Sequence, residues 1–136
     1  MIEITENKID VQAIISSVSH PEAGGIDVFI GVTRNNNSGK KVIKLEFESH
    51  KSMAIKELNK IITKASEKWD IKSVSISHRV GLVEIGEEAV VIAVACPHRS
   101  DAFEACRYVI DSLKKTVPIW KKEIFEDGDV WVSSHP

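Results

Sequence analysis

Apolar and polar positions along this chain follow two periods. From Ile26 to Thr33, Ile26, Val28, Ile30 and Val32 alternate with Asp27, Phe29, Gly31 and Thr33, which predicts a strand. The same period of two recurs where Ile43, Leu45 and Phe47 alternate with Lys44, Glu46 and Glu48, and where Val74, Ile76 and His78 alternate with Ser73, Ser75 and Ser77. Ala89 to Cys96 is an unbroken apolar run stopped by Pro97, the mark of a strand buried on both faces. A helical period governs three other stretches. Asp10 is placed to cap a short helix carrying Val11, Ile14, Ile15 and Val18. Met53 to Trp69 puts Ala54, Leu58, Ile61, Ile62, Ala65 and Trp69 on one stripe, with lysines and glutamates opposite. After a possible cap at Ser100, the stripe Ala102, Phe103, Cys106, Val109, Ile110 and Leu113 runs until Pro118 forbids further helix.

Between these lie punctuation signals. Arg34 to Lys41 reads as a polar loop with three Asn, Ser38 and Gly39. Gly81 and Gly86 bracket the short apolar segment Leu82 to Ile85. Ile119 to Phe125 looks extended, Asp127-Gly128 is a hairpin signal, and Val130-Trp131-Val132 is the returning strand. Three helices mixed with hairpins, and no strict strand–helix alternation, predict an α+β fold. Its expected core is Ile26, Val28, Ile30, Leu45, Phe47, Val91, Ile92, Val94, Phe103, Ile110 and Leu113. No repeat, low-complexity stretch or linker divides residues 1–136, so a single domain is expected.

Composition narrows the function classes. Apolar residues are 43% and charged residues 28%, as in an ordinary globular domain. The net charge of −2 lacks the basic excess of a nucleic-acid binder. The run Ala89 to Cys96 is too short to span a bilayer, so no membrane role is expected. Met1 to Glu6 carries acid where a signal peptide needs base, which reads as a cytoplasmic protein. Cys96 and Cys106 form neither a metal-type pair nor a disulfide framework, and Cys106 on the apolar stripe reads as core. His20, His50 and His135 lack metal-ligand spacing, and no phosphate loop, HExxH or nucleophile elbow is present, so neither a metal nor a cofactor is expected.

The candidate chemistry is cationic. His98 and Arg99 stand where a buried strand meets a helix start, a place whose free N–H groups and dipole favour an anion. A basic pair there opposes the dipole, although two solvated side chains would give the same pattern. Lys114 and Lys115 both lie in the last helical turn, where dipole complementarity accounts for either. Lys121 and Lys122 sit on an extended segment and face opposite ways, so only one of them shares a side with the helix lysine. Arg34 opens the Asn-rich loop at a strand end, a position suited to a ligand lid.

The segments Phe29-Ile30-Gly31-Val32-Thr33-Arg34-Asn35, Leu45-Glu46-Phe47-Glu48, His78-Arg79-Val80-Gly81 with Ile85-Gly86-Glu87, His98-Arg99-Ser100-Asp101-Ala102-Phe103-Glu104-Ala105, Asp111-Ser112-Leu113-Lys114, Val117-Pro118-Ile119-Trp120-Lys121-Lys122-Glu123 and Gly128-Asp129-Val130-Trp131 follow one another in the chain. In that order they resemble the catalytic large subunit of molybdopterin synthase, from about Ile26 to Val132. The resemblance implies an α/β-hammerhead-like fold and a sulfurtransferase of molybdenum cofactor biosynthesis. Sulfur would pass from the C-terminal Gly-Gly thiocarboxylate of a small ubiquitin-like carrier to cyclic pyranopterin monophosphate, making the dithiolene. The assembly implied is a homodimer of this chain within a heterotetramer. The resemblance selects Lys114 and Lys121 as catalytic and Val32, Thr33, Arg34, His98 and Arg99 as substrate-binding, in a pocket completed across the dimer interface, and leaves open which chain supplies each residue. Relatives often carry a basic residue beyond the final Trp that reaches the pocket, and here His135 is nearest that place.

The residues suit this chemistry by themselves. Guanidinium and imidazolium groups bind a phosphate. A sulfur nucleophile arriving on a partner leaves this chain only positioning, charge stabilisation and proton transfer to supply. The competing reading is a non-enzymatic, oligomeric anion- or nucleotide-binding regulatory module.

Overall fold

The computed structural model describes residues 1–136. Its elements are β1 (Ile2–Thr5), α1 (Val11–Ser17), β2 (Gly25–Val32), β3 (Asn36–Asn37), β4 (Lys40–Ser49), α2 (Lys51–Lys68), β5 (Ser73–Arg79), β6 (Gly81–Glu84), β7 (Glu88–Cys96), α3 (Arg99–Thr116), β8 (Ile119–Phe125) and β9 (Val130–Ser133). The α+β expectation and its three helices are met.

Two sheets form. In the first, the strand order is β1-β5-β7-β2, with β1 parallel to β5 and the other pairs antiparallel. In the second, antiparallel order runs β3-β4-β8-β9, and β6 also pairs with β4. The main core lies between the first sheet and the helices α2 and α3, where Leu58, Ile76, Ile92, Val94, Val109 and Leu113 are all buried. The run Ala89 to Cys96 forms β7, buried throughout, because β5 and β2 flank it and helices cover both of its faces.

Local rules explain most boundaries. Asp10 caps α1 by accepting the Ala13 N–H at 3.1 Å. His50 caps α2 through Nδ1, which accepts the Met53 N–H. For α3 the expected cap at Ser100 is incorrect. His98 occupies the cap position without a side-chain bond, and Ser100 lies inside the first turn. The expected polar loop Arg34 to Lys41 is instead a tight hairpin, β3 onto β4. Ser38 at φ 53° and Gly39 at φ 83° give the doubly left-handed turn that matches strand twist.

Three of the expected core residues are not core. Ile26 is 45% exposed, Ile30 41% and Phe103 55%. Alternation identifies correctly which residues of β2 share a face but not what covers that face. The seven-residue α1 packs on β5 and β7 and leaves the outer face of β2 bare apart from half-buried Val28. Phe103 lies on the side of α3 turned away from the core. Ile110 is half-buried, and Leu45, Phe47, Val91, Ile92, Val94 and Leu113 are buried as expected.

Candidate functional site

Helix α3 runs along β2 in the same direction. Its start lies over Gly25, where an added Cβ would come within 3.3 Å of the Arg99 Cα. Its far end carries Lys114 into a cavity of about 510 Å³ between the two sheets, a volume typical of small-molecule sites. β2 brings Val32 and then Arg34 to the wall, and β8 brings Lys121. Four residues singled out in the sequence, Val32, Arg34, Lys114 and Lys121, therefore meet in one cavity.

Strand alternation decides between the two lysines of β8. Lys121 shares a face with buried Ile119, Glu123 and Phe125, and that face looks inward. Lys122 faces outward and pairs with Glu46 at 3.6 Å. On α3 the cavity takes Lys114 and not Lys115, because Lys114 follows the stripe of Ile110 and Leu113 that forms the same wall.

Thr33, His98 and Arg99 are not on this wall. Thr33 is 2% exposed; its N–H donates to the Glu87 carbonyl and its carbonyl accepts from the Gly86 N–H, which folds the residue under the turn. Its Oγ1 is buried without a hydrogen-bond partner. His98 and Arg99 stand at the opposite end of α3 from Lys114. At 1.5 Å per residue the two ends are roughly 22 Å apart, so one chain cannot gather all five cations around one ligand.

Sequence reasoning passed over three residues of the cavity. Glu123 is 4% exposed, lies 3.3 Å from Lys121 Nζ, and accepts a hydrogen bond from Asn37 Nδ2 at 2.9 Å. Its signal was available, since a carboxylate two residues beyond an inward lysine on a strand must also face inward. Asn37 belongs to the hairpin expected to be a flexible lid, and here it braces that carboxylate instead. His78 is 1% exposed and packs edge-on against Phe47. In the sequence it simply completes the apolar alternation of its strand.

The cavity holds three cations, Arg34, Lys114 and Lys121, and one carboxylate, Glu123. It contains no cysteine. Cys96 and Cys106 are buried elsewhere. Desolvation raises the Cys96 thiol to about 11 and the Cys106 thiol to about 12, Asp27 beside Cys106 adding to the shift. Such a site binds and stabilises negative charge without offering a thiol of its own.

The family model described as MoaE protein matches residues 4–116. The molybdopterin synthase catalytic subunit of Bacillus subtilis is 48% identical over 130 residues, covering 96% of this chain and 83% of that one. The crystal structure of molybdopterin synthase from Staphylococcus aureus superposes with a TM-score of 0.92 at 39% identity, over 98% of this chain and 96% of that chain. A complex of subunits 1 and 2 of molybdopterin-converting factor from Helicobacter pylori contains the same fold, with a TM-score of 0.80 at 20% identity over 99% and 93% of the two chains.

Proposed function

We propose a function on the premise that the chain belongs to the MoaE protein family: it is the catalytic subunit of a molybdopterin synthase. The enzyme moves sulfur from the C-terminal thiocarboxylate of a small ubiquitin-like partner ending in Gly-Gly to cyclic pyranopterin monophosphate, building the dithiolene. The observation that carries this reading is a cationic cavity with no cysteine in it, which suits a reaction whose sulfur arrives on another chain.

Arg34 presents a planar fork for the substrate's phosphate. The thiocarboxylate sulfur attacks a side-chain carbon of the pterin and displaces the oxygen on that carbon, as the opened phosphate ester or as water. Water then cleaves the resulting thioester, which leaves the sulfur on the pterin and releases the glycine as a carboxylate, and a second carrier repeats the transfer at the neighbouring carbon. Lys114 and Lys121 stabilise charge on the oxygen that becomes anionic and carry protons between intermediates. Glu123 holds Lys121 in place through the 3.3 Å contact. No helix is long and apolar enough to cross a membrane, and we assign the reaction to the cytoplasm.

The working unit is a homodimer carrying two small subunits. The exposed apolar residues Ile26, Ile30 and Val32 of edge strand β2 support a second copy there. The second copy also supplies the phosphate pocket with His98 and Arg99, which within one chain lie a helix length from Lys114. For the small subunit, the Helicobacter pylori neighbour of this fold is itself a two-subunit complex.

The test is single-turnover conversion of the precursor with thiocarboxylated partner. Lys114→Ala and Lys121→Ala each lower the rate by about a hundredfold or more. Lys115→Ala and Lys122→Ala stay near wild type, as exposed substitutions do. Precursor binding with no sulfur transfer by the wild-type chain would return it to the class of ligand-binding regulatory modules.

A further inference from the structure

His78 lines the same cavity as Lys114 and Lys121. Its Nδ1 lies 2.8 Å from the carbonyl oxygen of Arg79. A carbonyl only accepts, so Nδ1 carries the proton and Nε2 keeps a bare lone pair. Nδ1 makes the ring's hydrogen bond within the chain, while the ring borders the cavity. Burial lowers its pKa to about 4, with the nearby charge of Lys114 adding to the effect, so the imidazole is neutral at physiological pH. The ring opens on the cavity, so a donor placed there can reach this free acceptor.

The two cavity lysines differ as donors. Lys121 is 3.3 Å from Glu123, the one acidic side chain on the wall, and Asn37 occupies that carboxylate's other oxygen. Lys114 pairs with no acidic side chain. A carboxylate offsets the charge of the ammonium beside it. A neutral imidazole nitrogen fixes the direction of an ammonium N–H and leaves the whole charge available.

We propose that His78 is a positioning residue whose Nε2 accepts a hydrogen bond from the Lys114 ammonium in the loaded site and aims that uncompensated charge at the thiocarboxyl oxygen. The proposal rests on the assignment of Lys114 to sulfur transfer. It grades the work of the two lysines: the charge of Lys121 is partly offset by Glu123, and Lys114, directed by His78, carries the larger share of the developing anion.

The experiment is a double-mutant cycle on the assembled enzyme, read by single turnover. His78→Asn keeps an N–H for the Arg79 carbonyl and removes the acceptor at Nε2. His78→Gln returns an amide oxygen near that place. We expect the rate at saturating precursor to fall about tenfold to a hundredfold in His78→Asn with KM nearly unchanged, and to recover largely in His78→Gln. In a Lys114→Ala background, His78→Asn has no further effect. The same loss in both backgrounds, or a change in KM alone, overturns the proposal. Full turnover by Lys114→Ala overturns the role of Lys114 itself and this proposal with it. If Lys114→Ala is crippled and the His78 effect is additive, only the positioning role falls. Nitrogen-15 NMR of the intact wild-type chain tests the premise without any variant: Nδ1 protonated and Nε2 bare is expected, and the opposite tautomer overturns the proposal.

Discussion

His78 makes stability depend on pH in a defined direction. Its pKa is about 4 in the folded chain against 6.5 for an unperturbed histidine. Between those values the unfolded chain binds a proton that the folded chain refuses. Stability is therefore full above about pH 6.5 and falls as pH drops toward 4, by about 3 kcal/mol in all. Urea unfolding at pH 7 and pH 4.5 should show this loss in wild type and a smaller one in His78→Asn; equal losses would mean that the ring is solvated. The buried thiols give a second expectation. With values raised to about 11 and 12, Cys96 and Cys106 are protonated at pH 8 and should resist iodoacetamide until the chain is unfolded. Replacing both with Ala should leave sulfur transfer intact in whatever fraction folds. Side-chain chemistry of this kind was only half legible in the sequence. The inward position of Lys121 was limited to one of two residues by alternation, but the roles open to Glu123 and His78 depend on partners in other strands, Asn37 and Phe47, that no local pattern announces.

Helices and long strands were readable because each has a covered face and an uncovered one. Helix α2 follows its stripe of Ala54, Leu58, Ile61 and Ala65 closely. β1 was not read: four residues alternating near the N-terminus are too few to stand out, and they become a strand by lying parallel to Ile76–Arg79. Phe103 keeps the apolar period of α3 and yet lies on its uncovered side. A ring that is 55% exposed contributes little to the fold of a single chain. Phe103→Ala should change the unfolding free energy of the dilute chain by less than about 1 kcal/mol. Leu58→Ala, at a residue with no exposure, should cost about 2–5 kcal/mol. Urea titration of the two variants side by side checks the contrast, and a large loss in Phe103→Ala would place that ring in the core.

On the scale of the whole molecule, α3 holds two sets of cations apart, and this makes cooperation between copies testable. If His98 and Arg99 serve the neighbouring chain's cavity, Arg99→Ala and Lys114→Ala damage opposite halves of each site. Mixing the two inactive variants should then restore activity. Each mixed dimer contains one cavity with both intact parts and one with neither, so it should turn over at about half the wild-type rate. No recovery in mixed dimers verified by mass would mean that His98 and Arg99 do not serve the neighbouring chain's cavity. The placing of β2 has a further consequence, for the order of synthesis. Its only hydrogen-bonded neighbour is β7, and Val32 pairs with Glu88, more than fifty residues later. At ribosomal rates of about 5–20 residues per second, a finished but unpaired apolar strand waits roughly 3–12 s for its mate. During that interval both edges of β2, and not just the outer one, are open to a neighbouring nascent chain. Slower translation between Thr33 and Glu87 should therefore lower the soluble yield of this chain, while slower translation after Cys96 should leave it unchanged.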